Sequence, residues 1–195
     1  VDAAALLLIE LDGHPAQVEE DADNVAFLCW ERGAADIRVA KDDAERDKVW
    51  EARRSALSAL AKLKPTVVLE DATVPRSKIP DMVLAIEKIS QRFDLPIGTF
   101  GHAGDGNLHP TILTDRRNPE EWARVEAAIE AIFDKALALG GTLSGEHGIG
   151  LAKSCFLEKE TSKAAIIYSQ RIKAALDPQN ILNPGKIIGE SPWRA

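Results

Sequence analysis

Along this 195-residue chain the apolar positions recur with two periods, one near 3.6 and one near 2, and each switch of period marks a new element. Leu6 to Leu11 is apolar on both faces and predicts a central strand, closed by Asp12-Gly13. Pro15 opens a helix to about Arg32, with Val18, Ala22, Val25, Ala26 and Cys29 at helical spacing and Gly33 as its C-cap. Asp36 to Ala40 predicts a short strand. Asp42 then caps a helix, with Glu45 completing a capping box. Val49, Trp50, Leu57 and Leu60 share one side of that helix. Arg53 lies on the same apolar stripe, while Arg54 falls just off it. A guanidinium on such a stripe must snorkel, pair with a carboxylate or hold a ligand anion.

Thr66 to Leu69 is a β-branched strand. Ser77 and Pro80 open the next helix, with Met82, Ile86, Ile89 and Phe93 facing inward, and Leu95-Pro96 breaks it. Ile97 to Phe100 and Leu108 to Leu113 form a hairpin. Asn118-Pro119-Glu120-Glu121 starts a helix: a capping side chain, then Pro at the first position, then acids at the positive end of the dipole. Trp122, Val125, Ile129, Ile132, Phe133 and Leu137 form its buried stripe, and Gly140-Gly141 ends it. Thr161 to Leu176 is the last helix. Asp177-Pro178 stops it, and an irregular tail follows whose last few residues are expected to fray. Helices alternate with strands, but the hairpin is antiparallel. The fold class is therefore α+β, a ferredoxin-like antiparallel sheet with helices packed on one face.

Composition narrows the setting. The chain is 45% hydrophobic and 28% charged, with net charge -7. No block of Lys or Arg stands out, so no nucleic acid is expected as partner. The apolar run Ala3 to Ile9 is too short to span a bilayer, and it lacks the basic flank and cleavage site of a signal peptide. Cys29 and Cys155 have no metal-type spacing. Cys29 reads as a buried thiol, and this usage suits a reducing, cytoplasmic compartment. The chain opens on an apolar run without Met, and we expect it to be a piece of a longer protein.

The chemistry concentrates in two glycine-rich stretches, Gly101-His102-Ala103-Gly104-Asp105-Gly106-Asn107-Leu108-His109 and Ser144-Gly145-Glu146-His147-Gly148-Ile149-Gly150. Three of the four histidines lie there. If the flanking strands pair antiparallel, His102 and His109 can sit across from each other and meet on one metal ion. Asn107 shares a face with His109, and Leu108 and Ile112 take the opposite face. Asp105, between glycines, suits a turn that bonds nearby amides rather than a ligand. Glu146 could complete the metal set while the adjacent His147 stays free as a base. His14, at the turn before the first helix, reads as a solvated loop histidine. A metal that binds the hydroxyl and carboxylate of a small acid would orient it and lower the hydroxyl pKa, and Arg53 could supply a fork for the carboxylate. The chain has no GxGxxG after a strand and no P-loop, so a redox cofactor must be held mostly by another segment.

These stretches, with the Asp177–Lys186 tail, Trp50-Glu51-Ala52-Arg53 and Glu70-Asp71-Ala72-Thr73-Val74-Pro75, resemble the C-terminal half of FAD-linked oxidases of the vanillyl-alcohol-oxidase type. The likeness is greatest to glycolate oxidase large subunits and D-lactate dehydrogenases, and weaker to D-2-hydroxyglutarate dehydrogenase. The resemblance implies a substrate or cap domain over residues 1–176, a tail over 177–195 closing near the flavin, and a separate FAD-binding domain not in this chain. It implies that His102, His109 and Glu146 are ligands of a divalent metal, zinc or manganese. By the same likeness His147 takes the hydroxyl proton, Asn107 and Arg53 bind substrate, and Asn183 touches FAD. Hydride then passes from the α-carbon of a small 2-hydroxy acid to the flavin. In the hydroxyglutarate branch a lysine stands two residues before the strand Asp; here that position is Leu69, which favours glycolate or lactate. Expected partners are the FAD-binding domain of the same protein, an electron-accepting iron-sulfur subunit and, through exposed sheet edges, a homodimer. The expected location is cytoplasmic, peripheral to the membrane through partner subunits. Two other readings use the same residues: a metal-dependent hydrolase or lyase, and a non-catalytic ferredoxin-like binding module.

Overall fold

A computed structural model describes residues 3–188. The chain divides into two units, residues 1–59 and 60–195. The first holds α1 (Pro15–Glu31) and most of α2 (Asp43–Leu60). In α1 the half-buried positions include Val18, Ala22, Val25, Ala26 and Cys29, the stripe that the helical spacing marks. Gly33 follows its C-cap at φ +84°. Cys29, expected as a buried thiol, is only half-buried, because no residue of α1 is fully covered. His14 does more than the solvated turn residue expected: its ring accepts a 3.4 Å hydrogen bond from the Ala16 amide and caps α1. In α2 the Glu45 amide donates to Asp42 at 2.8 Å, and the Glu45 carboxylate accepts from Lys41 rather than from the cap residue's own amide.

Two expected strands do not form. Leu6 to Leu11 and Asp36 to Ala40 have no strand structure. A central strand must have a ladder on each side, and neither stretch pairs with a described strand. The apolar run is instead exposed, Leu6 at 75% and Leu7 at 61%.

The second unit carries a four-stranded antiparallel sheet of β1 (Thr66–Leu69), β2 (Ala72–Thr73), β3 (Ile97–His102) and β4 (Asn107–Thr114). β4 is central. β3 lines one side of it, and β1 and β2 follow each other along the other side in one continuous register, Leu69 opposite Thr111 and Ala72 opposite Leu108. That register sets Glu70 opposite Pro110 and Asp71 opposite His109. The Glu70 amide donates to the Pro110 carbonyl at 2.9 Å. Proline has no amide to return, so the ladder lapses there and β1 parts from β2. Among the described residues, the isolated bridge Thr73–Thr142 stands where a ferredoxin-like fold would have its last strand.

α3 (Ile79–Phe93) and α4 (Pro119–Ala138) pack on each other and on the sheet. Met82, Ile86 and Ile89 of α3 meet Val125, Ala128, Ile132 and Ala136 of α4 over Ala72, Leu108 and Ile112. Asn118 caps α4 as its side chain suggests, accepting from the Glu120 and Glu121 amides at 3.1 and 3.2 Å. After α4 come a 3-10 turn over Ser154–Phe156, the short α5 (Leu157–Glu160) and α6 (Lys163–Leu176), the first two without a clear sequence signal. The fraying expected at the chain's end concerns positions outside the described residues.

Candidate functional site

Leu108 and Ile112 put one face of β4 into the core, and alternation puts Asn107 and His109 on the other. His102 and Phe100 of β3 share that second face. The pairing differs from direct opposition of the histidines: His102 lies opposite Asn107, and His109 opposite Phe100. The imidazoles meet on the diagonal, with ring centroids 5.6 Å apart and edge to face. The turn that brings them there depends on Gly106, at φ +85°, where a Cβ would stand 2.0 Å from the Val74 carbonyl oxygen. Asp105 takes the turn role, accepting from the Asn107 amide at 3.0 Å.

The 144–150 loop covers this face. Glu146 Oε1 lies 2.9 Å from His109 Nε2 and 4.0 Å from His102 Nε2. Two bonds of about 2.1 Å to one ion span at most about 4.2 Å, which both carboxylate–imidazole distances meet, and the three donor atoms all lie within 4.8 Å of one another, a group that could hold a divalent cation. The His147 ring stacks on His109 with centroids 5.1 Å apart and planes 14° from parallel, its Nε2 4.0 Å from the same Glu146 oxygen. Asn107 is buried beside them, its Oδ1 accepting from Thr73 Oγ1 at 3.0 Å.

Burial sets the electrostatics. His109 is 4% exposed, and its Nδ1 is covered without a hydrogen bond. Burial pushes its pKa below the usual imidazole value; the Glu146 carboxylate opposes this, the His147 ring adds to it, and Asp71 and the Glu70 carbonyl oppose it more weakly. Burial thus favours the neutral ring, the form that ligates metal. A second donor group, Asp71 with His109 and His147, is also within reach of one ion. Asp71 suits it poorly, because its oxygens already accept from Ser144 Oγ and from the amides of Gly145, Glu146 and His147.

The structure brings together His102, Asn107, His109, Glu146 and His147, and all belong to the second unit. Arg53 belongs to the first unit, half-buried on the α2 stripe as its spacing suggests. Asn183 stands in the exposed tail at φ +47°, its Oδ1 accepting from Lys186 Nζ at 2.9 Å.

Asp71 and Lys153 were not marked by sequence reasoning as site residues. Lys153 is 4% exposed and donates to the carbonyls of Asp71 at 2.9 Å and Leu143 at 2.7 Å. It faces Glu70 and Asp71 carboxylates at 3.9 and 3.6 Å and the Phe133 ring at 5.2 Å. In the sequence Asp71 stands out only within the Glu70-Asp71-Ala72-Thr73-Val74-Pro75 stretch that follows the Thr66–Leu69 strand, and Lys153 not at all.

Residues 1–187 match the protein family described as FAD linked oxidases, C-terminal domain. Glycolate oxidase subunit GlcD of Bacillus subtilis (strain 168) is 53% identical over 188 residues, 96% of this chain and 40% of that protein. Glycolate oxidase subunit GlcD of Escherichia coli (strain K12) is 41% identical, with 96% of this chain and 38% of that protein covered. A D-lactate dehydrogenase of Anaerostipes hadrus is 34% identical over 190 residues, covering 95% of this chain and 40% of that protein. The chain spans about 40% of the length of these curated relatives.

Proposed function

This chain belongs to the family of FAD-linked oxidase C-terminal domains, and from that premise we propose that it is the substrate domain of a flavin-dependent 2-hydroxy-acid dehydrogenase or oxidase acting on glycolate or D-lactate. The names of its relatives support the substrate class. The observation that carries the reading is the convergence of His102, His109 and His147 on one Glu146 oxygen, at 4.0, 2.9 and 4.0 Å.

In this reading His102, His109 and Glu146 hold a divalent metal, zinc or manganese. Such an ion supplies Lewis acidity that lowers the pKa of the bound hydroxyl. FAD, held mainly by another domain, supplies the hydride acceptor. His147 is the only imidazole of the cluster outside the ligand set, and its Nε2 takes the hydroxyl proton. Stacking on the buried His109 limits the tilt of that base. Asn107 orients the substrate from β4, Arg53 pairs with its carboxylate, and Asn183 lies toward the flavin. Membership of a family of C-terminal domains supports a larger enzyme around this domain, and the word subunit in two relatives' names supports an assembly with an electron-accepting partner, here assigned to an iron-sulfur subunit. No described helix is long and apolar enough to cross a membrane.

The test is made on the full-length protein. Addition of glycolate or D-lactate should bleach the flavin absorbance, and His102→Ala or Glu146→Ala should lower bound metal and slow bleaching about 100-fold or more, the scale of a misplaced catalytic group. Both variants keeping metal and rate would refute the site; a flavin that no 2-hydroxy acid bleaches would refute the reaction.

A further inference from the structure

The loop that carries Glu146 and His147 has neither helix nor strand structure from residue 145 to 149, and both side chains are partly exposed, at 51% and 37%. Something other than their own packing must fix them. Three consecutive amides, those of Gly145, Glu146 and His147, turn inward and donate to one carboxylate, at 3.1, 3.2 and 2.8 Å. Successive inward amides form an anion-binding concavity. Here the anion is Asp71, 0% exposed, in the break between β1 and β2. Ser144 Oγ donates to the same carboxylate at 2.6 Å and accepts from the Gly148 amide at 2.7 Å, which closes the loop on itself. Lys153 fixes the loop's root by joining the Leu143 carbonyl to that of Asp71. Its ammonium offsets the buried negative charge at 3.6 Å.

We propose that Asp71 is a positioning residue: its carboxylate, seated in the Gly145–His147 amides and balanced by Lys153, aims Glu146 and His147 at His109. The proposal rests on the roles given to Glu146 and His147 above. It goes beyond them in assigning their orientation to a residue that touches neither substrate nor metal.

The experiment compares full-length wild type with Asp71→Asn and Ser144→Ala by amide hydrogen exchange and by zinc affinity, measured with a competing chelator. In Asp71→Asn the peptide holding the 145–147 amides should lose protection while β4 keeps its own. Zinc affinity should fall by about 10- to 100-fold, the usual effect of removing a group that orients a ligand. Ser144→Ala, which keeps the charge, should shift both in the same direction by less, and it serves if Asp71→Asn does not fold. Unchanged exchange at 145–147 overturns the proposal whatever the metal does. Loosened amides with unchanged zinc affinity and unchanged kcat overturn the positioning role. If wild type binds no zinc but the amides loosen and kcat falls, the metal reading fails and the positioning of His147 stands.

Discussion

At Glu70 two forces compete, and burial wins. The carboxyl is 7% exposed, and desolvation raises its pKa to about 7, against the pull of Lys153. The native state therefore binds this proton more tightly than the unfolded chain does. That contribution to stability is complete below about 4.5 and is lost as pH rises through about 7. Glu70→Gln should flatten the decline between these limits, read as melting temperature against pH; an identical slope in both proteins would contradict the assignment. Asp71, its neighbour, goes the other way. Burial acts to raise its pKa, but the hydroxyl of Ser144 and the loop amides together hold it well below the usual carboxylate range. Two adjacent acids thus differ because one finds donors and the other does not.

Among the elements, the 144–150 loop depends on its fit against β4. A Cβ on Gly145 would stand 2.3 Å from Thr73 Oγ1 and 2.7 Å from Asn107 Cγ. Gly145→Ala should push the loop outward and cost about 100-fold in kcat of the full-length enzyme. Its melting temperature should stay close to wild type, since α3, α4 and the sheet face they cover are untouched. Equal kcat would mean that the loop tolerates the shift. α4 makes a separate case. Its Asn118 cap satisfies two amides, and Asn118→Ala should cost about 1 kcal/mol in denaturant unfolding without changing metal affinity. A loss of metal there would couple the helix face to the site face, which the sheet otherwise separates.

On the scale of the whole molecule, the chain matches a family of C-terminal domains and spans about 40% of its relatives. Its cluster offers imidazoles and a carboxylate but no nucleotide-binding fingerprint. The purified 195-residue polypeptide should bind zinc yet retain no stoichiometric FAD. A yellow protein with one flavin per chain would overturn this, and absorbance against metal content settles it in one preparation.

Local rules were enough wherever an element makes its own bonds. The Asn118 cap, the Met82, Ile86 and Ile89 stripe, and the Gly106 turn follow from spacing, from capping chemistry and from the one residue without a Cβ. Alternation along each strand is local, but His102 and His109 share a face because the hairpin register pairs His102 with Asn107 and Phe100 with His109. Hydrophobicity alone misled at Leu6 to Leu11, because a strand exists only through a partner, and partners lie outside the stretch being read. The diagonal meeting of the histidines depended on register, and register is a property of two strands together. Asp71 and Lys153 could be recognised only when residues from distant segments met in one buried volume, since only there does a charge have to find its donors.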